Sequence, residues 1–226
     1  MSNYPIYCIG DSHVSFFSGE DNTQPLWPKP SQDRLPFFKS FRLGAILAYN
    51  LVEYNTQMKG REILFTLLDR GIPVPERSIP PESNVLLCFG EIDCRAHLLK
   101  QAEQQKRPVE SVVEECANRY FSVAQEVKRL GYDVFLWNVI PSTRFEFVGN
   151  KEFPTYGACL ERNYVTRLFN DNLDAACATN DITFVSIFDQ LLALDGLTNM
   201  DFYRDKVHLS QKAMPLALNA LKLSAT

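Results

Sequence analysis

The sequence predicts an α/β fold with a parallel sheet, and three observations predict it. Short apolar runs stop at Gly or Pro. Amphipathic stretches at helical spacing lie between them. The two alternate from end to end of the chain. Whole-chain numbers agree with a folded domain of this kind. At 226 residues, with 46% hydrophobic and 22% charged side chains, the chain can bury a full core without staples. No internal repeat, low-complexity stretch or linker divides it, so residues 1–226 read as one domain.

The elements follow in order. Tyr4–Ile9 is a short apolar run ending at Gly10 and reads as a buried strand. Residues 18–37 hold Pro25, Pro28, Pro30 and Pro36 around Trp27 and read as a long loop, a kind that is often functional. Phe41–Val52 and Lys59–Arg70 read as helices, the second closed by Gly71 and Pro73. Asn84–Phe89 is a second strand. In Pro108–Leu130 the residues Val113, Ala117, Tyr120, Ala124, Val127 and Leu130 recur at three- and four-residue steps, and Gly131 stops that helix. Asp133–Val139 is a third strand, Gly157–Thr179 a helix and Ile182–Ile187 a fourth strand. Ser210–Leu223 reads as a last helix, with Ser210 as N-cap and Pro215 late for a first turn.

Composition excludes several classes. Net charge is −4, which argues against non-specific nucleic-acid binding. The N-terminus lacks a basic and then apolar leader, and no apolar run nears the roughly 18 residues of a membrane span. A cytoplasmic protein with no membrane partner is the simplest expectation. The six Cys (8, 88, 94, 116, 159 and 177) show no C-x-x-C pairing and read mainly as buried, reduced thiols, with Cys94 in a polar turn the least settled. No phosphate-binding Gly loop and no zinc spacing occurs, so no cofactor is expected.

In open parallel sheets, ligands sit beyond the carboxyl ends of the strands. Gly10–His13, Gly90–Arg95, Asn138–Arg144 and the segment before the last helix therefore matter most. Gly10-Asp11-Ser12-His13 places a serine on a tight turn after the first strand, where backbone N–H groups can face an oxyanion. A serine hydroxyl needs a base within hydrogen-bond reach. Asp205-Lys206-Val207-His208 offers one, with Asp205 orienting His208 and leaving Nε2 for Ser12. A plain turn and a surface His remain the alternative.

With these residues in place, the chain resembles the SGNH/GDSL hydrolase superfamily. Gly10-Asp11-Ser12 and Asp205-x-x-His208 match its first and last blocks, and Gly44 stands where its second-block Gly would be. The resemblance implies a three-layer α/β/α sandwich with a flavodoxin-like five-stranded parallel sheet, the fifth strand being expected between Arg42 and Pro81. It also implies Ser12 as nucleophile, His208 as base, and the backbone N–H groups of Ser12 and Gly44 in an oxyanion hole.

The third block departs from the family's Gly-x-Asn-Asp. It reads Gly90-Glu91-Ile92-Asp93-Cys94-Arg95, with Ile92 where the Asn should be. Losing one oxyanion donor costs about 10²–10³ in kcat. Either another donor substitutes, or the reaction is slow, different or absent. Arg95, His13 and Asn138 are the candidate donors, with Arg95 favoured and an Arg95 ion pair to Glu91 or Asp93 as the alternative. The Gly-Glu-Ile-Asp-Cys-Arg string resembles a variant in bacterial members associated with surface-polysaccharide genes, which implies a carbohydrate substrate. Glu91 and Asp93, read as a strand end, would face one way and with Asp11 could hold Mg²⁺, a minor reading. Asp11, His13, Glu91, Asp93, Asn138 and Trp27 are candidate substrate contacts, and Phe145 and Phe147 candidate pocket walls. His97 reads as a helix start with no role. The expected activity is a serine esterase on an acyl ester, O-acetyl on a carbohydrate above all. The alternatives are an O-acyltransferase using the same serine and a non-catalytic carbohydrate-binding relative.

Overall fold

The computed structural model describes residues 5–68, 79–146 and 153–223. Five parallel strands form one sheet: β1 (Ile6–Gly10), β2 (Phe38–Arg42), β3 (Asn84–Cys88), β4 (Asp133–Trp137) and β5 (Thr183–Val185). Their spatial order is β2-β1-β3-β4-β5. β1 is inner and buried along its length, as a central strand covered on both faces must be.

The period of two divides the side chains between two cores. Tyr7 and Ile9, Val85 and Leu87, and Val134 and Leu136 point to one face. There they meet α1 (Gly60–Leu68), α3 (Val109–Arg129) and α4 (Cys159–Ala178), with α2 (Leu98–Gln105) joined to the same cluster. Ile6 and Cys8, Leu86 and Cys88, and Trp137 and Val185 point to the other face, against the 3-10 turn Ser12–Ser18 and α5 (Met214–Ala220). The expected three-layer sandwich is therefore the observed one. Among the described residues no helix is long and apolar enough to cross a membrane.

Three expected elements are corrected. Phe41–Val52 is not a helix: β2 ends at Arg42, and only Ala48–Val52 turns, as a 3-10 segment. The fifth strand accordingly precedes Arg42 rather than following it. β2 is an edge strand with one neighbour in the sheet, and exposed Lys39 between buried Phe38 and Ser40 breaks the apolar run that a central strand would show. The last helix is shorter than Ser210–Leu223, with a 3-10 turn at Gln211–Ala213 and α5 behind it. Ser210 Oγ donates to the Phe202 carbonyl (3.1 Å) instead of capping, and Pro215 lies in the first turn of α5, where its missing N–H costs nothing. Tyr4, residues 69–78 with Gly71 and Pro73, and Phe147 lie outside the described residues.

Candidate active site

The strand order reverses between β1 and β3, and the candidate site sits beyond their carboxyl ends at that switch point. β1 and β3 approach closely at Gly10: a Cβ there would lie 2.2 Å from the Cys88 carbonyl oxygen. Beyond Gly10, the Asp11 N–H donates to that same carbonyl (3.3 Å), and the Leu43 N–H donates to the Gly10 carbonyl (2.8 Å). Asp11 then caps the 3-10 turn, its Oδ1 accepting the His13 N–H at 2.8 Å. Ser12 is thus the first residue of a capped turn and is half-buried.

The opposite wall comes from the far end of the chain. Tyr203 and Leu209 bridge in antiparallel fashion, and the Arg204 N–H donates to the His208 carbonyl (3.0 Å). The hydroxyl of Tyr203 donates to the Pro141 carbonyl, which pins this hairpin to the segment after β4. Inside the hairpin, Asp205 Oδ1 accepts the N–H groups of Val207 and His208, each at 2.8 Å. His208 Nδ1 lies 2.8 Å from Asp205 Oδ2, and His208 Nε2 lies 2.8 Å from Ser12 Oγ. One carboxylate therefore sets both the backbone turn and the imidazole. With Nδ1–H donating to Asp205, Nε2 is free to accept the Ser12 hydroxyl proton.

The electrostatics fit that tautomer. Burial pushes Asp205 up, but the His208 ring and the two backbone donors more than reverse this and hold the carboxyl well below its usual range. Burial lowers His208 below 6.5; the Asp205 hydrogen bond opposes this and the His13 ring adds to it.

The other expected residues divide. His13 joins the site: its ring lies 4.8 Å from that of His208, and its Nδ1 lies 2.9 Å from Asp11 Oδ1. Glu91 faces His13 Nε2 at 3.7 Å. Arg95 is engaged in an ion pair. Its Nε donates to Glu91 Oε1 (2.6 Å) and its Nη1 to the Pro154 carbonyl, so the ion-pair alternative is the observed state. Glu91 and Asp93 do not share a direction, because the chain turns helically at once after Gly90 and is π-helical over Asp93–His97. Asp93 points away to accept the N–H groups of Ala48 (2.8 Å) and Tyr49 (3.2 Å). The acidic Mg²⁺ cluster is thus not assembled, and among the described residues no group of three or more metal-ligating side chains is.

Asn138 latches two strand ends together. Its Oδ1 accepts the Ile187 N–H (2.8 Å) and its Nδ2 donates to the Val139 carbonyl (2.9 Å). The Trp27 side chain packs partly buried against the first core, and its backbone N–H donates to the Arg42 carbonyl (2.9 Å). Ile92 lines a cavity of about 240 Å³ with Ala45, Leu47, Met58 and His97, and offers no donor. Gly44 sits at φ +117°, a conformation that favours glycine. Phe145 is half exposed.

Sequence reading missed three contributors. Phe153 stands edge-on to His208 at 6.0 Å between ring centres. Arg204 lies 3.7 Å from Asp205 Oδ2. Arg162, fully buried, binds Ser142 Oγ and the carbonyls of Thr143, Phe145 and Gly157, which shapes the segment after β4. These three carry no short-range signal, unlike the expected Glu91–Arg95 pair, whose four-residue helical spacing is readable.

No known protein-family profile matches the chain, and no curated protein matches it in sequence. Solved structures do match its shape. A GDSL-like lipase from Bacteroides thetaiotaomicron superposes with a TM-score of 0.54 at 14% identity, over 97% of this chain and 86% of that one. The chain shares the fold of that protein. Phospholipase A1 from Streptomyces albidoflavus gives 0.50 at 14% identity, over 98% and 99%. The OSK domain of Drosophila Oskar gives 0.54 at 10% identity, over 95% and 85%. Likeness at such identities speaks to the fold, and function is argued from the site.

Proposed function

We propose that the chain is a serine esterase acting on acyl esters, with O-acetyl groups on a carbohydrate as the substrate class. One observation carries this reading: Ser12 Oγ, His208 and Asp205 form a continuous hydrogen-bonded line built from the two ends of the chain. Ser12 Oγ attacks the ester carbonyl while His208 Nε2 takes its proton. The negative charge that forms on the carbonyl oxygen is met by the backbone N–H groups of Ser12 and Gly44. Collapse breaks the bond to the alcohol oxygen, which leaves with the proton from His208. Water then attacks the acyl-Ser12 ester, gives its proton to His208, and the carboxylic acid departs as Ser12 is restored.

With Ile92 donating nothing and Arg95 engaged elsewhere, the hole rests on backbone donors, and turnover is expected below that of an enzyme with a side-chain donor by about 10²–10³. The same two observations motivate the competing reading, a carbohydrate-binding protein without turnover. Hydrolysis of p-nitrophenyl acetate and labelling of Ser12 by a fluorophosphonate decide between them. Wild type is expected to react in both assays, and Ser12→Ala and His208→Ala to lose at least ~10³-fold in hydrolysis. Equal hydrolysis in all three proteins, or an unlabelled wild type that binds glycan, would remove the esterase reading.

A further inference from the structure

The reaction above leaves His13 without a task, yet its ring is held from both sides. The side chain is 8% exposed. Nδ1 lies 2.9 Å from Asp11 Oδ1, and Nε2 lies 3.2 Å from the Val207 carbonyl oxygen and 3.7 Å from Glu91 Oε2. Each of these oxygens is an acceptor. A neutral imidazole has one N–H and would turn a lone pair toward a carbonyl or a carboxylate, whereas an imidazolium donates on both sides.

The surrounding charges favour the same state. Asp11 and Glu91 are buried carboxylates, and each has one oxygen, Oδ2 and Oε2, with no hydrogen-bond partner. Arg95 supplies one positive charge on Glu91. Arg42 acts on Asp11 without forming an ion pair, whereas a charged His13 faces both carboxylates directly, at 2.9 and 3.7 Å, and an uncompensated buried charge is strongly destabilising. Burial alone would lower His13, but Glu91 and Asp11 outweigh it and push the ring up to about 8.

We propose that His13 is a positioning residue: a buried imidazolium that clamps the serine turn to the His208 hairpin through the Val207 carbonyl and keeps the adjacent His208 ring in its proton-accepting form. His13 is faced by Asp11 from its own turn, by Glu91 and Arg95 from the helical turn after β3, and by His208. His208 is faced by Asp205 and Arg204 from its hairpin, by His13, by Glu91 and by the edge of Phe153. The effect on His208 rests on the esterase reading, whereas the charge state of His13 does not.

Two measurements test the proposal separately. The chain has three His, so imidazole ¹⁵N spectra of wild type at pH 7 are assignable with single His→Gln variants. His13 is expected to show two protonated nitrogens and His208 one, at Nδ1; a neutral His13 at pH 7 overturns the proposal. The second is the pH dependence of fluorophosphonate labelling of Ser12 in wild type and His13→Gln. Removing the positive charge makes His208 easier to protonate, so the acid limb is expected to move up by about one pH unit. An unmoved limb in a folded variant overturns the proposal. If wild-type Ser12 is not labelled at all, the esterase reading fails, and the wild-type ¹⁵N spectrum still decides the charge of His13.

Discussion

Asp205 illustrates how much one side chain can carry. It orders the hairpin by taking two backbone N–H groups on Oδ1, and it selects the His208 tautomer through Oδ2. Asp205→Asn separates these duties. The amide oxygen keeps the backbone bonds, while the amide nitrogen replaces Oδ2 and turns its hydrogens toward Nδ1. The ring then carries its proton on Nε2 and cannot accept one from Ser12. Turnover of p-nitrophenyl acetate at pH 7 is expected to fall by about 10⁴, with a melting temperature within a few degrees of wild type. A fall of less than tenfold would mean that Asp205 does not set the tautomer.

At the scale of elements, the site depends on how loops are tied to strand ends. The segment after β2, which contains Gly44, is held to the turn after β3 by Asp93, which reaches the N–H groups of Ala48 and Tyr49. Asp93→Ala leaves these donors unpaired at a buried position and is expected to cost about 2 kcal/mol in denaturant unfolding. Asp93→Asn keeps an acceptor and costs less. Burial raises Asp93 from 3.8 to about 7 against the pull of its backbone donors. The folded state therefore holds a proton that the unfolded chain releases, and the Asp93 contribution declines as pH rises through that interval. Asn resembles the protonated form at every pH, so the stability of wild type relative to Asp93→Asn should fall steadily from about pH 5 to pH 7 and level off above it. A wild type that gains stability relative to Asp93→Asn over that range would contradict the buried, protonated assignment. The inner strands and long helices were readable because burial on both faces, or on one stripe, leaves a strong periodic signal. β2 was not, because as an edge strand it alternates only over Phe38, Lys39 and Ser40 before Gly44 ends the pattern. The orientation of Glu91 and Asp93 was lost for the same local reason: the spacing of two points one way on a strand and apart on a helical turn.

For the whole molecule, Ser12, Asp205 and His208 were legible because each lies in a short string that brings its own turn. The cluster of Asp11, His13, Glu91 and Arg95 was legible only in part: its residues were candidates and the Glu91–Arg95 spacing was readable, but the cluster joins two segments, the turns after β1 and β3, that only the sheet brings together. That sheet separates two cores, and the six free thiols are distributed between and beside them. Cys8 and Cys88 lie in the second core, Cys94, Cys116 and Cys177 in the first, and Cys159 under the segment after β4, its thiol donating to the Ser142 carbonyl (3.7 Å). Burial pushes Cys8, Cys88, Cys94 and Cys116 well above the ordinary thiol range and Cys177 up to about 12, so these groups are neither reached nor ionised in the folded state. Because both cores share the same strands, neither can open without exposing apolar residues of the other, and a single cooperative transition is expected. Ellman's reagent should find no reactive thiol in the native protein and six in concentrated guanidinium chloride. Across the transition, the thiols of both cores should appear at the same midpoint as the loss of helical circular dichroism. Release of Cys8 and Cys88 at a lower denaturant concentration than Cys116 and Cys177 would show that the face carrying α5 and the serine turn opens by itself.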